Sequence, residues 1–352
     1  MSAKNVSRST RKTPTSQPGS SPGFEKELAD LDALRDALTA GSAPDAAAVE
    51  QLRKALGHRN NFLVAKAARL IAEAEIVALL PEVLAAFDRF LINAVKSDPQ
   101  CWAKNALSKT LVKLGYRSKD AYLRGMRHHQ MEPVWGGQSD TAGALRGTCT
   151  HALVDCPGIS DAELLAALLE PLTDGDKTVR VEAARALGQV GGVSAALLLR
   201  LRALLGKDEP EAEVLGAVYS SLLALEGTAA IPLVAAALEK GDDMAAEAAL
   251  ALSDMHNGEA LAMLLTRFRQ GADEWFSGVL LSAIALTRLP EAAEFLVALI
   301  ANDSREAAKA IEAIGRAAPS ADLCTRVEQA VAQADSPRLQ RAMREHLAPI
   351  LE

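Results

Sequence analysis

Apolar residues recur at helical spacing along almost the whole chain. In DKTVRVEAARALGQVGG, residues 176–192, Val179, Ala183, Ala184, Leu187 and Val190 fall on one stripe. Asp176 stands where a carboxylate accepts hydrogen bonds from the first unpaired helix amides. Gly191 and Gly192 suit the left-handed exit of a helix. The preceding AELLAALLEPLTDG, residues 162–175, reads as a second apolar helix that stops just before this cap. Together the two predict a helical hairpin.

The hairpin recurs. Comparable cap positions at Asp98, Asp140, Asp176, Pro210, Asp243, Asp273, Asp303 and Ser336 lie 42, 36, 34, 33, 30, 30 and 33 residues apart. An earlier unit, HRNNFLVAKAARLIAEA (residues 58–74), repeats the pattern without the Asp. A period in the thirties with two helices per unit marks stacked hairpins, because one hairpin cannot bury its apolar stripe alone. The predicted fold is all-α: an α-solenoid (α/α superhelix) of roughly eight or nine stacked helical hairpins. Its parts are a basic disordered tail at residues 1–23, N-terminal capping helices at 24–57, and repeats at 58–335. A loop at 128–139 is inserted among the repeats, and a C-terminal capping helix occupies 336–352.

Composition narrows the class. Apolar residues make up 49% of the chain and aromatics only 4%, which predicts an Ala- and Leu-rich core between close helices. No uninterrupted apolar run reaches the eighteen or so residues of a bilayer span, so no membrane partner is expected. The acid-free start, rich in Ser, Thr, Pro, Lys and Arg, cannot bury enough surface to order itself. It also resembles an organellar transit peptide, but lacks the leucines of an amphipathic presequence. Cys101, Cys149, Cys156 and Cys324 are too scattered for a disulfide framework and point to a reducing, cytoplasmic compartment. The net charge of −7 is unevenly spread: residues 51–146 carry fifteen positive charges against eight negative, and residues 147–352 carry seventeen against thirty.

The segment at 176–192 resembles the second helix of a HEAT repeat, of the short bacterial kind found in phycobilin lyases. Asp176, Val179, Arg180, Ala183, Ala184, Leu187 and Gly188 match that family's pattern. DMAAEAALAL and DSREAAKAIEAIG keep the Asp and the Ala spacing but lose the Val-Arg pair. The resemblance extends over residues 58–352. It implies an armadillo-type stack, and a structural Arg180 that pairs with Asp residues along the inter-helix turns. It implies little about function, since such folds serve scaffolds, adaptors and some enzymes.

The longest interval, between Asp98 and Asp140, contains the least helical stretch, GMRHHQMEPVWGGQSD (residues 125–140). Pro133 and the Gly136–Gly137 pair predict a loop there. Loops on a rigid scaffold often carry function. Trp135 is either a recognition anchor, as tryptophans at binding hot spots are, or a staple that packs with Val134 onto the repeats. Positive charge is densest nearby: Lys96, Lys104, Lys109, Lys113, Arg117, Lys119, Arg124 and Arg127 oppose only Asp98 and Asp120, with Trp102, Tyr116 and Tyr122 interleaved. This reads either as a solvated helix face or as a patch for an acidic partner. The candidate contacts are Trp135, Arg124, Arg127, His128, His129, Met131, Glu132, Trp102, Lys104 and Lys109.

Catalytic signatures are sparse. The chain has no G-x-G-x-x-G, no phosphate-binding Walker loop and no H-E-x-x-H. None of its six histidines is followed by Glu, as the di-iron HEAT hydroxylases require. His128, His129, Cys149, His151 and Cys156 lack the paired spacings of a zinc site, so neither a metal nor a cofactor is expected. The expected function is a non-enzymatic scaffold or adaptor that binds another protein, one with an acidic surface, through the basic 96–130 region and the 128–139 loop. The alternatives are a bilin lyase or isomerase, and a nucleic-acid-binding HEAT-like protein. The acidic C-terminal portion disfavours nucleic acid.

Overall fold

The computed structural model describes residues 22–39 and 44–347. All but the last two residues of the expected basic tail lie outside them, as does the end of the expected C-terminal helix. Among the described residues the protein is all-α except for one hairpin of two short strands. It divides into two compact units, 1–116 and 117–352.

In the first unit α1 (Pro22–Thr39), α2 (Ala46–Leu56), α3 (Asn61–Glu73), α4 (Leu80–Phe90), the short α5 (Ala94–Ser97) and α6 (Trp102–Lys113) enclose one core. Helix α3 packs on α1, α2 and α6, and α4 on α2 and α6. Leu52, Leu63, Val64, Ile71, Leu79, Val83, Phe87, Leu107 and Leu111 are fully enclosed or nearly so. Asn60 caps α3, accepting from the Phe62 and Leu63 amides. Asp98 caps α6 from a distance: its carboxylate accepts from the amides of Ala103 and Lys104, both at 2.9 Å.

The second unit holds α7 (Lys119–Met126), β1 (Met131–Val134), β2 (Gly137–Asp140), α8 (Gly143–Ala152), α9 (Asp161–Leu168), α10 (Lys177–Val190), α11 (Gly192–Leu204), α12 (Ala212–Glu226) and α13 (Ile231–Ala236). Then follow α14 (Asp243–Ser253), α15 (Gly258–Arg269), α16 (Glu274–Leu286), α17 (Pro290–Ala301), α18 (Ala307–Arg316), α19 (Ala321–Ala334) and α20 (Pro337–His346). The even-numbered helices from α8 to α20 each pack on the next, and the odd-numbered ones lean on them from one side. This serial stacking of hairpins is the α-solenoid arrangement.

Small residues set the spacing. A Cβ on Gly188 of α10 would lie 2.8 Å from Cβ and Oγ of Ser221 on α12, closer than real side chains approach. One apolar helical stretch, Ala212–Lys240, is long enough by length and composition to cross a membrane. The chain turns within it at Gly227, where φ is 60°, and α12 is packed between α10 and α14.

Several capping expectations need adjustment. Asp176 and Asp273 are N-caps, bonded to the Thr178 and Phe276 amides. For α14 the cap is Asp242 rather than Asp243. Asp303 caps nothing: it sits in the left-handed region at φ 42° and pairs with Arg338 at 2.7 Å. Pro210 stands two residues before α12, which starts without a side-chain cap.

Replacing Gly188 with Ala is expected to cost about 1–3 kcal/mol of stability, the usual range for overpacking. The Ser221→Gly background should absorb most of that loss, because the clash is with the serine side chain. Urea unfolding of the two single variants and the double variant measures it; equal losses in both backgrounds would show that Ser221 is not what Gly188 makes room for.

Candidate functional site: a hairpin rooted on a buried arginine

Residues 128–139, expected to form a loop, instead contain most of an antiparallel hairpin. Met131 pairs with Asp140, Glu132 with Ser139, Pro133 with Gln138, and Val134 with Gly137. Trp135 and Gly136 form the two-residue turn, and Gly136 takes the positive φ, 88°, that the corner demands. Pro133 is compatible with a strand because of its register. Next to the pair that closes the turn, an amide points away from the partner strand, so a missing N–H costs no ladder bond.

A two-stranded ribbon is marginal by itself; this one is held at its root. Arg146 of α8, only 2% exposed, donates through Nε and Nη2 to both carboxylate oxygens of Asp174, each at 2.8 Å. Its Nη1 donates to Asp140 at 2.7 Å and to the His128 carbonyl at 3.2 Å. Asp140 also accepts from the amides of Gln130 and Ala142, both at 3.0 Å, and lies 2.9 Å from Nδ1 of His129. Inside the root, Glu132 accepts from Gln130 Nε2 at 2.6 Å and from Thr141 Oγ1 at 2.7 Å.

The electrostatics follow from these contacts. Burial alone would raise the Asp140 carboxyl. The Gln130 and Ala142 amides, the His129 ring and the Arg146 guanidinium outweigh it and hold the group far below the usual carboxylate range. Asp174 is likewise lowered, its burial overcome by Arg146 and the Asp176 amide. Both remain ionised at neutral pH.

The arrangement continues one repeat further. Arg180 donates to the two carboxylate oxygens of Glu209, at 3.0 and 2.7 Å, and to the Asp174 carbonyl at 2.7 Å. Arg180 is therefore structural, as the family resemblance implies, with a glutamate as its acidic partner. The signal is an acid followed six residues later by a base: Asp98 with Lys104, Asp140 with Arg146, Asp174 with Arg180. In the first two the carboxylate meets the base, whereas Arg180 bonds the backbone carbonyl of Asp174. Alignment on Asp176 hides the spacing, because the acid six residues before Arg180 is Asp174.

The expected contact residues part company. Trp135 stands at the tip with its whole side chain in water (105% relative exposure), so it does not staple the hairpin to the repeats. Val134, next to the turn, and Met131, at the base of the ribbon, are half exposed. Arg124, Arg127 and His129 are exposed, and His128 is half-buried. Glu132 is buried in the root and turns away from any partner. Lys104 requires the clearest correction: it is wholly buried in the first unit, 3.0 Å from Asp98, with Nζ also donating to the Phe90 carbonyl. A solvated helix face was one reading of its spacing, but its four-methylene stem lies in the core. Trp102 is half exposed with its ring 5.7 Å from that of Phe62, and Lys109 is exposed. Tyr122 is buried.

Among the described residues no three of His, Cys, Asp and Glu converge as they would around a metal ion. Complete burial pushes the Cys149 thiol far above its ordinary range, the opposite of what a thiolate ligand requires. A scan against protein-family models finds no match, and a search of curated proteins finds no significant similarity.

Because the Asp140 carboxyl is lowered on folding, its stabilisation is complete above the unfolded-chain value of about 3.9. It is lost only as pH falls through the lower folded value. Amide exchange of Gln130 and Ala142 should therefore stay protected at pH 4, whereas Asp140→Asn should lose that protection at neutral pH too. Arg146→Met, which strands two half-buried carboxylates, is expected to cost about 3 kcal/mol, measurable by denaturant unfolding.

Proposed function

We propose that this chain is a non-enzymatic, HEAT-like interaction scaffold that docks another protein through the hairpin Met131–Asp140, with Trp135 as the anchor. One observation carries the reading: an indole wholly in water at the tip of a hairpin whose root is a buried ionic network. Exposed apolar surface of that size is unfavourable in water, and a pocket on a partner relieves it. Tryptophan is over-represented among residues that dominate binding energy. The rooted strands hold it in place beforehand, so docking loses little conformational freedom.

Val134 adds apolar surface next to the tip, Met131 lies on the other face at the base of the ribbon, and the exposed Arg127 and His129 lie near the root. That distribution suits a partner pocket with an acidic rim. The HEAT-like assignment rests on the stacked hairpins and on the Arg146 and Arg180 pairs that join one repeat to the next.

Affinity capture from a lysate of the native source, with wild type and Trp135→Ala as baits, tests the proposal. The partner should be held about thirtyfold more weakly by the variant, with an unchanged melting temperature. Arg127→Glu should weaken binding and reduce its salt dependence. Identical binding by wild type and Trp135→Ala would reject the hairpin as the docking element.

A further inference from the structure

Helix α11 differs from the other long helices on its side of the stack. The exposed positions of α15 include Glu259 and Arg269, those of α17 include Glu291 and Glu294, and those of α19 include Asp322 and Glu328. None of the exposed positions of α11 is charged. Val193 is 77% exposed, Leu197 60%, Leu201 54%, Leu204 68% and the capping Leu205 48%. The opposite face, with Ala195, Ala196 and Leu199, is buried against α10 and α12.

The two cations on this helix are already engaged within the chain. Arg200 pairs with Glu226, and Arg202 with Glu209. Neither projects an uncompensated charge across the stripe. About half or more of each apolar side chain in the stripe is open to water, and Leu204 borders a groove that Leu233 and Ala237 of the next hairpin also line.

We infer that the outer face of α11 is a two-fold interface through which a second copy of this chain packs, helix against antiparallel helix. The occupant follows from three properties of the stripe. Four of its five residues match about position 199: in an antiparallel pair Leu197 faces Leu201 of the other copy and Val193 faces Leu205, while Leu204 falls opposite Ser194. Such self-complementarity is what a two-fold contact requires. It is free of net charge, so two copies meet without repulsion. And it is large enough, since the five side chains offer on the order of 500 Å² of apolar surface, beyond the scattered exposure of an ordinary monomer. Two copies together can remove at most about 1,000 Å², the lower bound of a specific interface.

Sedimentation velocity of the full chain over a range of concentrations tests this directly. Wild type should sediment as a dimer, and Leu197→Glu/Leu201→Glu should be monomeric, its association weakened about a hundredfold or more. Far-UV circular dichroism checks that the variant keeps its helices. A Leu197→Cys/Leu201→Cys variant, oxidised gently, should form a disulfide-linked dimer, as the antiparallel register demands. A wild-type monomer at about 100 μM, or a dimer that survives the double glutamate substitution, overturns the proposal. So does a monomer that instead co-sediments with phosphatidylcholine vesicles through the same leucines, which would assign the stripe to a lipid surface. Trp135→Ala should leave the dimer intact, so this test and that of the hairpin fail or succeed separately.

Discussion

The Arg146 guanidinium is the point on which the second unit turns. Removing that charge from water costs several kcal/mol unless its donors are met, and they are met from two directions. Asp174, at the start of the next repeat, takes the fork of Nε and Nη2. Asp140, at the end of the hairpin, takes Nη1 together with the His128 carbonyl. One side chain thus couples the angle between successive repeats to the placement of an inserted ribbon. The acids serve twice, since Asp140, Asp174 and Glu209 each also accept from the backbone amide two residues on. A group bonded from both sides has little freedom to reorient, and that fixes the geometry of the turn before α8, α10 and α12.

Beyond Glu209 the buried pairs give way. The residue six positions further on is Leu215, buried among the apolar side chains of α12. From there close contact of small and aliphatic residues dominates, with Ala245, Ala248, Ala249, Ala283, Ile284, Ala310 and Ile311 all completely enclosed, alongside the exposed Arg338–Asp303 pair. The change coincides with the shortening of the repeat interval from 36 and 34 residues to 30. The longer turns carry the paired acids.

The helical stack was legible because its signals are local and repeated. Apolar spacing located the helices, and Asp176 and Asp273 marked their starts. The off-by-one at Asp242 and the misreading of Asp303 arise because capping depends on backbone dihedrals that a lone acidic residue does not reveal. The hairpin was illegible for another reason. Pro133 and the Gly136–Gly137 pair are breakers taken singly, and only strand register shows that the proline amide faces outward and that Gly136 supplies the corner. Lys104 was misassigned because a four-residue spacing of lysines fits a wetted face, while the residue that neutralises it, Asp98, lies in the preceding turn. Trp135 stood out by its glycine-flanked setting, but its exposure follows only from the two-residue turn.

That turn has a consequence for how such a protein can diversify. Side chains alternate sides along a strand, so inserting or deleting a single residue would carry Glu132 out of the root and bring Met131 or Pro133 in to face Gln130 and Thr141. The length of the ribbon is therefore locked by chemistry at its base. The identity of the residue at 135 touches none of that chemistry. A variant can therefore swap the tip side chain, and with it the pocket it fits, while a single-residue insertion or deletion between Glu132 and the root is excluded.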